Sequence, residues 1–197
     1  SDLSNHTYKV QKLNELQFFY KYSDNMLIQD FIEGDEYTVD VLVDLDGRVR
    51  CAVPRLRIET RAGEVSKAIT VNDPDIIKWS YKIANALDLS ACCLTIQCIK
   101  NSNSLKFIEI NPRFGGGFPL SAKAGANFPR WILQILLNIN IERDLQKLWS
   151  DGYLMLRYDD EVFQKCPRSC PLSCDGDHGT WHGSKGGGTL NCAVRGR

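Results

Sequence analysis

The sequence predicts an α+β fold of mostly antiparallel strands packed against helices, followed by an irregular C-terminal tail. Three observations carry this reading. Two alternating apolar and polar runs, residues 94–99 and 107–111, flank the turn-forming Asn101-Ser102-Asn103-Ser104, which pairs them as an antiparallel hairpin. Asp73-Pro74 marks a helix start, with an N-cap and a proline at the first helical position. From Cys166 onward the composition shifts to Cys, Pro, Gly, His and Ser, leaving too few aliphatic residues for a core.

Taken in order, residues 10–22 read as a helix with Leu13, Leu16, Phe19 and Tyr20 on one side. Strands follow near 26–32, 36–44 and 48–54, the last two joined by an Asp46-Gly47 turn. Residues 63–70 read as a loop. Arg55, Arg57 and Arg61 crowd into the same region, either as a solvated basic surface or as substrate contacts. The helix opened by Asp73 runs to about Leu87 with Ile76, Ile83, Ala84 and Leu87 inward. After the hairpin, helical pieces at 120–126 and 128–137 are separated by a restart at Pro129.

Composition excludes several classes of function. The 24 basic and 24 acidic residues cancel, so no global field points to nucleic acid or an anionic membrane. The chain has no run of 18 apolar residues, and residues 1–6 show neither the basic nor the apolar region of a secretory signal. Cys51, Cys92, Cys93 and Cys98 fall in apolar strand-like runs, where free cysteine behaves as a small buried hydrophobe, which points to a reducing cytoplasm.

The chemistry concentrates in Glu109-Ile110-Asn111-Pro112-Arg113, followed by three glycines. Alternation puts Glu109 and Asn111 on one face and turns Ile108 and Ile110 toward a core. With Gln97 on the neighbouring strand, one carboxylate and two amides suit a hard cation such as magnesium, which takes few protein carboxylates and completes its octahedron with substrate phosphates. Arg113, beyond the strand end, suits a bidentate phosphate contact, and Gly115, Gly116 and Gly117 let the backbone approach a ligand. The plainer alternative for Glu-x-Asn is a solvent-facing strand end with a Gly-rich turn.

With Gln29-Asp30-Phe31-Ile32 and Glu36 added upstream, residues 8–160 resemble the ATP-grasp superfamily, in its carbamoyl phosphate synthetase-like branch. The resemblance implies the C-terminal portion of that fold, with Gln97, Glu109 and Asn111 holding Mg2+ or Mn2+ against the phosphates of ATP. It implies backbone contacts to adenine from Gln29, Asp30, Phe31 and Ile32, ribose binding by Glu36, phosphate contact by Arg113, and Lys67 near the phosphates and acceptor substrate. The implied activity is an ATP-dependent ligase passing through an acyl phosphate, acting on a small carboxylate. Residues 1–10 read as the remnant of a glycine-rich phosphate loop that here has no glycine. A fragment or a partner of a missing N-terminal domain or another subunit is therefore expected, and a catalytically silent nucleotide-binding scaffold is the alternative. In the tail, residues 161–197, Cys166, Cys170, Cys174, His178 and His182 recur every four residues. Their spacing matches no familiar zinc pattern, so a disordered tail is the leading reading and a zinc site the lesser one.

Overall fold

Pairing of alternating runs produces one six-stranded sheet in the computed structural model, which describes residues 8–22, 27–61, 63–139, 141 and 144–158. The strands are β1 (Asp35–Val43), β2 (Val49–Arg61), β3 (Glu64–Thr70), β4 (Cys92–Lys100), β5 (Leu105–Asn111) and β6 (Leu154–Leu156). They lie in the order β5-β4-β1-β2-β3-β6, and every neighbouring pair is antiparallel.

The central strand β1 shows why both sheet faces are covered. Val39, Val41 and Val43 alternate with Thr38, Asp40 and Leu42, and all six are buried. The first set joins Ala52, Leu94, Ile96 and Cys98 under Ile76 and Ala84 of α2 (Pro74–Ala86). On the other face, Leu42, Cys51, Val53 and Cys93 meet Phe118 of α3 (Phe118–Lys123) and Phe128 and Trp131 of α4 (Phe128–Leu136), together with Leu145 and Trp149. Each fully buried Val, Leu or Phe side chain contributes roughly 1.5–3 kcal/mol to this arrangement.

The caps follow the sequence signals. Asp73 Oδ1 accepts the Asp75 and Ile76 amides at 3.0 and 3.1 Å, while its Oδ2 accepts the Lys100 ammonium at 2.6 Å. One carboxylate thus joins the start of α2 to the end of β4. Asn127 caps α4 by accepting the Arg130 amide at 3.1 Å, with Pro129 in the first turn. Asn101 Oδ1 accepts the Asn103 and Ser104 amides at 3.0 and 2.8 Å and closes the hairpin.

Several expectations are corrected. Residues 27–33 carry no regular secondary structure, and Leu27, Ile28 and Phe31 are exposed, so the described part of the expected 26–32 strand makes no ladder. Residues 64–70 are not a loop but strand β3, because Ala68 and Thr70 alternate with Ile69 and give β2 a partner as far as Arg61. The helix α1 (Leu13–Tyr22) forms, but its apolar side is not buried; Leu13 and Tyr20 are each 70% exposed. Leu87 caps α2 at the surface instead of packing inward. Ile108 and Ile110 face no core and are 42% and 39% exposed. Strand β5 is the sheet edge, and α2 lies over β1 and β2, two and three strands further in. Three residues of β6 are too short to show a period, and they were not anticipated. Residues 1–7 and the Cys/His tail lie outside the described residues. Among the described residues, no helix is long and apolar enough to cross a membrane.

Burial pushes the Asp73 carboxyl up, but the Lys100 ammonium and the Ile76 and Asp75 amides outweigh burial and hold it below its ordinary value. A carboxyl lowered on folding stabilises the protein above its unfolded pKa of about 4 and loses that contribution as pH falls through the lower folded value. Asp73→Ala is expected to cost about 1–2 kcal/mol in urea unfolding at pH 7. The gap from wild type should narrow as pH falls below the ordinary aspartate value of about 4; an equal gap at pH 7 and in acid would refute this account.

Candidate functional site

The site is built on the sheet face that carries Thr38, Asp40, Arg55, Arg57, Thr95 and Gln97. Register makes Gln97 the partner of Glu109 and Thr95 the partner of Asn111. Gln97 Nε2 donates to Glu109 Oε2 at 2.9 Å, and Asn111 Nδ2 donates to Glu109 Oε1 at 2.8 Å. Each carboxylate oxygen of Glu109 therefore faces one amide, from β4 on one side and from its own strand on the other.

Arg57 links this group to β1. Its NH1 donates to Glu36 Oε1 at 2.6 Å and to Gln97 Oε1 at 3.2 Å, and its NH2 donates to the Gly63 carbonyl at 3.1 Å. The side chain is 12% exposed, and its Nε is buried with no partner among the described residues.

Beneath lies a charge pair fully removed from water. Arg55 donates from Nε and NH2 to Asp40 at 2.7 and 2.9 Å, with the two side chains 1% and 2% exposed. Ser121 Oγ on α3 donates to the same carboxylate at 2.5 Å. The Arg55 guanidinium explains one of the three glycines, and Thr95 confines a second. A Cβ at Gly117 would collide with Arg55 NH1, and one at Gly115 would sit 3.1 and 3.2 Å from Thr95 Oγ1 and Cγ2 and 3.3 Å from Arg55 NH2. These glycines admit internal side chains rather than a ligand, whereas Gly116 opens toward Glu64 with nothing nearer than 4.0 Å. The turn is fixed at its start by Thr95 Oγ1, which donates to the Arg113 carbonyl at 2.7 Å. Arg113 itself is exposed and has no carboxylate partner among the described residues; its NH1 reaches the Phe114 carbonyl at 3.2 Å.

These groups surround a cavity of about 150 Å³ lined by Arg55, Arg57, Arg113, Gln97, Asn111 and the glycine turn, with the Arg55 guanidinium closing its floor against Asp40. Its one lining carboxylate is Glu64, so it suits an anion. Among the described residues, no cluster of three His, Cys, Asp or Glu is able to hold a metal unaided. The donor set of Gln97, Glu109 and Asn111, with a single carboxylate, fits a hard cation that brings further oxygens with it.

Other expected site residues lie elsewhere. Lys67, on β3, does not line the cavity; its Nζ lies 2.5 Å from Glu59 Oε2. Hydrogen bonds from Lys67 and Ser66 hold the Glu59 carboxyl below its ordinary value. Gln29, Asp30, Phe31 and Ile32 precede β1 outside the cavity lining, and the Lys9 ammonium sits 3.5 Å above the Phe31 ring. Glu36 is not among the lining residues either; its carboxylate is held by Arg57. The basic-loop reading of Arg55, Arg57 and Arg61 fails for the first two, which are strand residues turned inward. Arg61 remains exposed beside Glu59. Asp40, Thr95 and Ser121 were not singled out from sequence. The Thr38-Val39-Asp40-Val41 alternation, which puts an acid among buried neighbours, is the signal that could have found Asp40.

Residues 22–153 match the family model described as ATP-grasp in the biosynthetic pathway with Ter operon. This chain belongs to the ATP-grasp family. Similar solved structures include the biotin carboxylase domain of a thermophilic 2-oxoglutarate carboxylase bound to ADP, at 18% identity and a TM-score of 0.50 over 63% of this chain and 29% of that one. Rhizobium etli pyruvate carboxylase matches at 17% identity and 0.50, covering 63% and 14%. The Hydrogenobacter thermophilus biotin carboxylase domain with MgADP, ADP and bicarbonate matches at 17% identity and 0.48, covering 61% and 28%. These likenesses are of fold. No curated protein gives a significant match. This chain spans less than a third of the length of each of these solved structures.

Removing one partner of a buried, bidentate ion pair leaves a charge stranded in the core, at a cost of about 3–5 kcal/mol. Asp40→Ala is expected to lower unfolding free energy by that amount, and Gly117→Ala to destabilise by displacing the same guanidinium. Chemical denaturation checks both, and a loss under about 1 kcal/mol for Asp40→Ala would refute the role given to the pair.

Proposed function

We propose that residues 22–153 bind ATP with a magnesium or manganese ion and activate a small carboxylate for ligation to an amine. The observation that carries this reading is Glu109, the one carboxylate of the donor set, held between two amides beside a cavity lined by Arg57 and Arg113. Gln97, Glu109 and Asn111 would hold the ion, each amide presenting its oxygen after a half turn. A bound divalent ion would offset charge on the polyphosphate. Arg113 would contact the transferring phosphoryl group, Glu36 the ribose, and residues 29–32 the adenine, as the family resemblance implies. A substrate carboxylate oxygen attacks the γ-phosphorus and ADP leaves; an amine then attacks the acyl carbon and phosphate leaves. This reading keeps the carbamoyl phosphate synthetase-like branch and a cytoplasmic setting. Burial pushes the Cys93 and Cys98 thiols up to about 12, which suits packing in a reducing compartment. Residues 8–160 would act as one nucleotide-binding unit, working with an N-terminal domain or another subunit.

A second reading, a nucleotide-binding scaffold without turnover, is favoured by one contact. Lys67 is spent on Glu59, and no lysine lines the cavity among the described residues.

Calorimetry with ATP, with and without magnesium, and an assay of phosphate release separate the two. Magnesium-dependent binding with phosphate release supports the ligase, and binding without release supports the scaffold. Glu109→Ala is expected to weaken magnesium-dependent binding at least about tenfold, the loss of roughly 1.4 kcal/mol, while the melting midpoint holds. Unchanged affinity and turnover would sink the assignment of Glu109.

A further inference from the structure

We propose that Arg57 keeps free divalent cations out of the Gln97, Glu109 and Asn111 set, so that an ion enters this site only together with polyphosphate. The inference rests on the proposed role of those three residues as the ion-holding set. Its starting point is the 3.2 Å hydrogen bond from Arg57 NH1 to Gln97 Oε1, the one oxygen this amide offers a cation. An ion arriving alone must break that bond and then sit beside a permanently charged guanidinium. Little water screens the repulsion, because Arg57 is 12% exposed. Glu36 offsets part of that charge from the far side, and the donor set itself brings only the single negative charge of Glu109. Glu36, at 2.6 Å, cannot draw Arg57 away, since the same NH1 serves both oxygens and NH2 is anchored on the Gly63 carbonyl.

A cation arriving with polyphosphate meets different terms. The polyphosphate supplies the missing negative charge and acceptor oxygens, and Arg57 has a buried Nε with no partner among the described residues, in a side chain that lines the cavity beside Arg113. The guanidinium can therefore exchange the Gln97 oxygen for phosphate oxygens, releasing Gln97 as it gains stronger, charge-assisted partners. In this scheme Arg57 is a positioning and selectivity residue, acting through Gln97 on the order of ligand entry.

The test is Mn2+ binding to the full 197-residue chain, read by electron paramagnetic resonance of the unbound ion, with Mn2+ alone and with Mn2+ plus a non-hydrolysable ATP analogue. Arg57→Met should bind Mn2+ alone at least tenfold more tightly than wild type. Arg57→Lys, which keeps the charge, should stay close to wild type. With the ATP analogue present, the advantage of Arg57→Met should shrink or reverse. Unchanged Mn2+ affinity in a folded Arg57→Met protein overturns the proposal, as does equal tightening in Arg57→Lys, since loss of a purely structural contact would affect both. Arg57→Gln, which keeps a donor toward Glu36, replaces Arg57→Met if the latter fails to fold. The double variant Arg57→Met, Glu109→Ala tells the two readings apart. Loss of the gain supports both, whereas a gain that survives shows that the ion is held elsewhere and overturns the ion-holding assignment itself.

Discussion

A full positive charge on Arg55, buried at the level of the hydrophobic core, is the constraint to which the rest of this structure conforms. Such a charge is tolerated only when its hydrogen bonds are nearly complete. Asp40 on β1 answers it with two bonds, and Ser121 on α3 completes the carboxylate. The register of β1 on β2 and the seat of α3 are thereby fixed to one another. The glycine turn is fixed too, because Gly117 must lie flat against the guanidinium and Gly115 against Thr95 beside it. A feature that looks like a ligand cradle in the sequence is largely an accommodation to internal residues.

From that buried pair the polar groups rise toward the surface in a graded series. Arg55 is sealed, Arg57 is mostly enclosed and shared among Glu36, Gln97 and Gly63, and Arg113 is open. The grading follows from strand geometry, since Arg55 and Arg57 sit on one face of β2 two residues apart, with only the inner one under α3. Three arginines of one chemical type thus have three different freedoms: one to support, one to exchange partners and one to meet a ligand.

Much of this was legible in the sequence, and the reasons differ by element. The hairpin of β4 and β5 and the capped start of α2 were readable because their signals are local: alternation, an Asx turn, an acid before proline. The pairing of Gln97 with Glu109 followed from the hairpin. The role of Arg55 was not readable, because its partner Asp40 lies 15 residues upstream, the Ser121 hydroxyl that completes that carboxylate lies 81 residues beyond Asp40, and nothing near Arg55 distinguishes a buried guanidinium from a solvated one. Lys67 was placed by resemblance in a loop, whereas its own neighbours make a strand and its ammonium meets Glu59. The inward direction assigned to Ile108 and Ile110 failed for a topological reason: alternation reports which residues share a face, not whether anything covers it.

The position of β5 at the rim of the sheet gives Glu109 and Asn111 a particular mechanical status. Their backbone is anchored through a single ladder to β4, and that ladder is interrupted by a register shift beside Gln97. Asn111, which lines the cavity, and Glu109, which holds it by a hydrogen bond, therefore borrow their alignment from β4, with no second strand to brace them among the described residues. Any group that grips Gln97 and Glu109 at once would act as a rivet across that seam, so occupancy of the site and the stiffness of this end of the sheet are one property seen from two sides.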